Sequence, residues 1–342
     1  MHWASKTGAC CTVFLVVASP IPSQGEPCSA QSIPIIVRDA HSLPIERITA
    51  QDFVVKVGGK SVGIVSIAAD PRPRRAVILL DTSSSMDGTS SKQRKLPLDI
   101  ALQVARSVSS NTQLAFLAFD DAVHDVIGFS HDNSTVLYQL SRMSGALSGK
   151  GIQRRTALYD AAYHGWQLMG NPSSADLLLA ISDGGDNKSK VKLGVLERNL
   201  IGSGVRFFAV LVRDVSVPAS ARAPEENDGP RVLADIAEKT GGEVFGPVGF
   251  WLDGFIHFAF SNYDYSSQTF SNYDYSSQTK VEDALSWFFQ GMRESEVLEI
   301  QLPAIPMEKE SLEVKLSKAA AHRWKAATLS YPRRLLPCGQ PR

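Results

Sequence analysis

From Ala76 onward, short apolar runs alternate with stretches in which apolar residues return every three to four positions. The runs AVILLD (76–81), QLAFLAF (113–119), ADLLLAISD (175–183) and VRFFAVLV (205–212) are too short for helices and too continuously apolar for strands with one wet face. They predict strands buried on both sides, as in a parallel sheet. KLPLDIALQVARSVSS (95–110) puts Ile100, Ala101, Val104, Ala105 and Val108 on one helical face; TALYDAAYHGWQLM (156–169) does the same with Leu158, Ala161, Ala162, Gly165 and Met169, and Thr156 is placed as its N-cap. Further helices are expected at STVLYQLSRM (134–143), around 190–202, at RVLADIAEKTGG (231–242) and at KVEDALSWFFQGM (280–292). AVHDVIGF (122–129) reads as an edge strand and EVFGP (243–247) as a short one. Strand and helix in turn imply an α/β fold: a doubly wound, mainly parallel sheet with helices on both faces.

Both flanks follow another rhythm. IPIIVRD (33–39), DFVVKV (52–57) and KSVGIVSI (60–67) alternate, with a turn at Gly58 and Gly59, and predict a hairpin with one buried face. EVLEIQL (296–302), SLEVKLS (311–317) and RWKAATLSY (323–331) return to alternation and read as strands. The organisation expected is an N-terminal β segment (26–73), an α/β domain (74–295) and a C-terminal β segment (296–342), the last pairing with the first so that the α/β domain is an insertion in a small β domain. DPRPRR (70–75) is read as a stiff polar linker at the boundary.

Residues 1–25 look like a secretory signal peptide: one lysine in MHWASK, the apolar run TGACCTVFLVVA, then small residues and prolines in SPIPSQG. The apolar run falls short of the roughly 20 residues that span a bilayer. A secreted or periplasmic location is expected. Cys10 and Cys11 would leave with the signal; Cys28 and Cys338 remain near the two ends, and an oxidising compartment permits a disulfide between them, worth about 5 kcal/mol in the chain-entropy model. Two free thiols in proline-rich tails are the other possibility. Lys+Arg and Asp+Glu both number 35, so no global charge draws the chain to nucleic acid or an acidic membrane. The decapeptide FSNYDYSSQT (260–269) recurs letter for letter at 270–279, a tandem duplication read as a surface loop or hairpin, or as an aromatic contact surface.

Chemistry concentrates at strand ends. After AVILLD come Asp81, Ser83 and Ser85 at alternate positions, where a tight loop can turn all three inward; Thr156 and Asp183 stand at a helix start and another strand end. Hydroxyls and carboxylates suit a hard cation, Mg²⁺ or Mn²⁺, and suit zinc poorly; the scattered histidines and absent CxxC spacing agree.

DTSSS (81–85), TALYDA (156–161) and SDGGDN (182–187), in this order, resemble the metal-ion-dependent adhesion site of von Willebrand factor type A domains. ITAQDFVVKVGGKSVGIVSI (48–67) and LADIAEKTGGEVF (233–245) resemble, more narrowly, the von Willebrand factor A-related proteins of acidobacteria. The resemblance implies that Ser83, Ser85 and Thr156 are hydroxyl ligands, that Asp81 and Asp183 act directly or through water, and that a partner protein's acidic side chain completes the shell. Such a module binds proteins and performs no reaction. Where the family has glycines, this chain has IQRRTA, putting Arg154 and Arg155 at the rim, to be read as partners for a ligand's carboxylate or phosphate, as charges that repel the cation, or, the favoured reading, as a solvated pair lying away from the metal; Asp186 is a further rim candidate, and Asp87 and Asp160 are nearby acids read as caps or solvated charges.

Two rival readings are weighed. A metal-dependent hydrolase would use Asp81 or Asp183 as a base, but hydroxyl-dominated shells are uncommon for that work. No GxSxG elbow surrounds Ser84, and SGALSGKG (144–151) lacks the first glycine and terminal Ser/Thr of a phosphate loop. A structural envelope scaffold with a vestigial site is the other, opposed by ligand positions intact in type.

Overall fold

The computed structural model describes residues 30–40, 43–45, 47–87, 91–108, 111–130, 132–143, 155–213, 218–251, 254–257, 278–293, 295–302 and 310–335. In chain order these form β1 (Ala30–Arg38), β2 (Phe53–Val57), β3 (Lys60–Ala69), β4 (Arg74–Asp81), α1 (Ser91–Ser107), β5 (Thr112–Phe119) and β6 (Val123–Ser130). There follow α2 (Ser134–Met143), α3 (Leu158–Leu168), β7 (Leu177–Ser182), α4 (Leu193–Ser203), β8 (Arg206–Val212), α5 (Pro224–Thr240), β9 (Val244–Trp251) and β10 (Gly254–His257). The last elements are α6 (Gln278–Arg293), β11 (Glu296–Gln301), β12 (Glu310–Leu316), α7 (Lys318–Arg323), β13 (Thr328–Ser330) and β14 (Arg334–Leu335).

Two seven-stranded sheets result. The first, β10-β9-β8-β7-β4-β5-β6, is parallel through β9, β8, β7, β4 and β5, with antiparallel edge strands β10 and β6. Its strands are buried on both faces because helices cover both. Ile78, Leu80, Leu179, Phe208 and Val210 pack on one side against α1, α2 and α6; Val77, Leu79, Leu178, Phe207 and Ala209 pack on the other against α3, α4 and α5. Each enclosed aliphatic side chain stabilises by about 1.5–3 kcal/mol relative to exposure. The anticipated helical stripes are the buried ones, Ile100, Ala101, Val104 and Ala105 on α1 and Leu158, Ala161 and Ala162 on α3. Gly165 lets α3 settle onto the sheet: a Cβ there would stand 3.1 Å from both Leu79 and Leu178.

The second sheet, β13-β1-β11-β3-β2-β12-β14, is antiparallel throughout and interleaves N- and C-terminal strands, β1 and β3 flanking β11, and β2 pairing β12. The α/β domain is thus an insertion between its halves. This sheet has its own core of Ile33, Ile35, Phe53, Val55, Leu298, Ile300, Leu312 and Val314. A buried ion pair, Arg38 to Glu243 at 2.7 Å, joins it to the α/β domain, as does a bridge between Thr240 and Pro332.

Three local expectations are corrected. RWKAATLSY is no continuous strand: Arg323 ends α7, which starts on a Ser317 N-cap, and only 328–330 pair with β1. DPRPRR is only partly a linker, because Arg74 and Arg75 begin β4, held by the Met292 carbonyl (3.0 Å) and by Asp176 (2.5 Å) respectively. Thr156 is not the N-cap of α3; that position is Ala157, and the cap bonds come from a neighbouring loop. Among the described residues no helix is long and apolar enough to cross a membrane. Residues 1–25, Cys28, Cys338, residues 144–151 and nearly all of the duplicated segment lie outside the described residues.

Candidate metal centre

Parallel strands deliver their last residues to one edge of a sheet, and adjacency of β4 and β7 brings Asp81 and the Ser182–Asp183 step together although about a hundred positions separate them. Asp81 is the last residue of β4. The chain then turns sharply: the Thr82 N–H donates to the Phe119 carbonyl (2.8 Å) and the Met86 N–H to the Ser83 carbonyl (3.0 Å), closing a short 3-10 turn over 84–87. This turn brings the Ser83 and Ser85 hydroxyl oxygens to 3.0 Å from each other.

The hydroxyls connect two carboxylates. Asp81 accepts from the Ser83 N–H at Oδ1 (2.9 Å) and from the Ser182 hydroxyl at Oδ2 (2.6 Å); Asp183 accepts from the Gly185 N–H (2.9 Å) and from the Ser85 hydroxyl. Both acids are buried, at 1% and 6% exposure, with Ser83 at 1%. Burial raises both above the usual carboxylate range, and at Asp81 the repulsion from Asp183 adds to it; Arg213 and Arg222 offset part of the rise at Asp183. Two desolvated carboxylates facing each other are costly without a positive charge between them.

Thr156 is buried (5%) and held by backbone: its N–H donates to Asn187 Oδ1 (3.0 Å), and its carbonyl accepts from the N–H groups of Asn187 (3.0 Å) and Lys188 (3.1 Å). Its hydroxyl is therefore not used to cap α3. That work falls to Asp186, whose Oδ1 accepts from the Tyr159 N–H (3.2 Å) and the Ser189 hydroxyl (2.6 Å), and to Ser189, which accepts from the Asp160 N–H (3.0 Å). Asp160 in turn accepts from the N–H groups of Lys190 (3.0 Å) and Val191 (2.7 Å). Asp186, expected at the rim, is thus engaged as a cap; an oxygen placed over exposed helix N–H groups is strongly favoured there. Arg155 is exposed, while Arg154 and the side chain of Asp87 lie outside the described residues.

Ser182 escaped the sequence reading. It donates to Asp81 and accepts from the Gly184 N–H (3.0 Å), so it orients one carboxylate and anchors the loop carrying the other. The one available signal was its place between LAI and DGGD. Gly184 is equally specific: its φ is +86°, and a Cβ would sit 2.6 Å from the Gly229 backbone.

The donors drawn together, the Asp81 and Asp183 carboxylates with the Ser83 and Ser85 hydroxyls, are oxygen throughout and suit a hard, octahedral divalent cation. Among the described residues no group of three or more His, Cys, Asp or Glu is placed to hold a metal ion. Beside the site, Thr82 Oγ1 lies 3.2 Å from His124 Nε2, whose Nδ1 is 2.9 Å from Asp125. The Thr82 hydroxyl also lies 3.0 Å from the Phe119 carbonyl.

No family model matches the chain, and no curated protein does. Solved structures do. A conserved hypothetical protein BatB from Bacteroides thetaiotaomicron is 12% identical with a TM-score of 0.41, over 64% of this chain and 98% of that one. An aerotolerance-related membrane protein from Bacteroides fragilis is 15% identical with a TM-score of 0.36, over 52% and 91%. A von Willebrand factor type A protein from Catenulispora acidiphila is 11% identical with a TM-score of 0.42, over 92% and 75%. The fold class itself follows from the strand order and pairing of this chain.

Proposed function

We propose that the chain is a divalent-cation-dependent protein-binding module. The observation that carries this reading is the pair of buried carboxylates, Asp81 and Asp183, linked through Ser83 and Ser85, both raised by burial and Asp81 further by the charge of Asp183. A Mg²⁺ or Mn²⁺ ion held by Ser83, Ser85 and Thr156, with Asp81 and Asp183 acting directly or through water, would remove that repulsion. So many neutral hydroxyls leave the ion electron-poor, and an acidic side chain from a partner protein is the ligand that completes such a shell. Arg155, exposed beside the site, with Arg213 and Arg222 acting on Asp183, adds positive charge that suits an acidic partner. The module performs no reaction of its own, and residues 1–25 direct it out of the cytoplasm.

The test is calorimetric titration of Mg²⁺ and Mn²⁺ into EDTA-treated protein, beside Asp81→Ala. Saturable binding near one ion per chain, lost in the variant, is the expected result. Equal heats in both proteins would overturn the assignment.

A further inference from the structure

The buried side-chain polar atoms without a hydrogen-bond partner among the described residues belong to two residues, Arg206 (Nε, Nη1, Nη2) and Ser295 (Oγ). Both lie at the end of the parallel sheet remote from the acids. Arg206 opens β8 and is wholly enclosed; Ser295, 1% exposed, precedes β11. They share neighbours. The Ser295 carbonyl accepts from the Asp70 N–H (3.2 Å) and from Arg74 Nη2 (3.4 Å), while Asp70, Arg72, Arg74 and Glu243 all act electrostatically on Arg206.

The acids in this neighbourhood are engaged elsewhere. Glu243 receives Arg38 (2.7 Å) and the Ser330 hydroxyl (2.8 Å), and Asp70 receives Arg72 through two bonds of 2.8 Å. On Glu296, next to Ser295, burial acts alone, so it is not matched to a cation either. The guanidinium does lie over the Phe208 ring, 5.4 Å from its centroid, but that contact satisfies none of its N–H groups. An arginine does not shed its proton in a protein, and a buried charge needs a counter-charge that accepts hydrogen bonds.

We propose that Arg206 and the Ser295 hydroxyl bind one small monovalent anion, chloride under ordinary conditions. Chloride carries the single charge that Arg206 needs and is smaller than sulfate, phosphate or an organic acid, which full enclosure of Arg206 disfavours. Its position gives it a purpose. Residues 70–74 carry the chain into the α/β domain and residues 293–296 carry it out, with Arg74 clasping the carbonyls of Met292, Arg293 and Ser295 across the gap. An anion on Arg206 fastens both crossings, and the antiparallel sheet with them, independently of the cation site.

The test is thermal unfolding of EDTA-treated protein in sodium chloride, sodium bromide and sodium gluconate at equal ionic strength. Wild type is expected to melt about 3 °C higher in either halide, as a ligand confined to the folded state requires. Arg206→Met, a substitution of similar length that removes the charge, is expected to melt at one temperature in all three salts, and Ser295→Ala to need severalfold more halide for half the shift. A wild-type midpoint indifferent to the anion would overturn the proposal, as would an undiminished halide shift in Arg206→Met. The wild-type reading decides even where a variant does not fold.

Discussion

The two ends of the parallel sheet carry buried charge of opposite sign. At the carboxyl end, Asp81 and Asp183 face each other through serine hydroxyls; at the amino end, Arg74 and Arg206 stand where β4 and β8 begin. The acids stand at the tips of strands, each tied by one backbone N–H of the turn that follows it, Ser83 to Asp81 and Gly185 to Asp183. The arginines sit where two domains meet, one engaged with carbonyls and the other with no hydrogen bond to its side chain. A doubly wound sheet thus offers two kinds of polar site. On the readings proposed above, the first would exchange a ligand and the second would hold a structural ion.

The contrast can be broken most severely at the acid end. Asp183→Ala is expected to lower Mg²⁺ affinity at least about 100-fold in calorimetry, since even outer ligands of a metal site cost 10–100-fold when removed. The same variant loses one of two repelling charges, so its metal-free form should melt no lower than wild type. Gly184→Ala attacks the loop instead: the positive φ and the 2.6 Å approach of Gly229 predict a loss of about 3 kcal/mol in urea unfolding, with weaker Mg²⁺ binding as Asp183 shifts. Ser182→Ala, which leaves every proposed ligand in place, should cost about 10-fold in Mg²⁺ affinity with little loss of stability.

The smallest effect lies at the other end. Burial pushes the Glu296 carboxyl up to about 7 from an ordinary 4.5. A carboxyl raised on folding favours the native state fully below its unfolded value and loses that contribution as pH climbs through the folded one. Glu296→Gln should therefore match wild type near pH 4 and unfold at higher denaturant near pH 8, a difference read in parallel urea titrations at about those two pH values. A gap that grew toward acid would reverse the assignment.

Much of this was legible in the sequence. Continuous apolar runs announced the parallel strands, and alternation in both flanks announced a second sheet, because burial on two faces and on one face leave different patterns. Asp81, Ser83, Ser85 and Asp183 were legible as a group because each follows such a run. Ser182 was not, since its bond to Asp81 exists only once β4 and β7 are neighbours. Thr156 looked like a cap for its position before an apolar stripe, yet Asp186 and Ser189 from another loop took that work. Arg206 was invisible for a similar reason: an arginine at a strand start ordinarily reaches water, and its enclosure depends on the second domain. Trp324 to Ala327 misled by alternation alone, where a helix ending at Arg323 was followed by a turn.

Crystals grown in manganese bromide would test the opposed ends together, with anomalous maps recorded at the edges of both elements. A manganese peak bonded to Ser83 and Ser85 beside Asp81, and a bromide peak against the guanidinium of Arg206, are the predicted pair. Manganese absent from the Asp81–Asp183 site in well-ordered crystals would contradict the account at its centre.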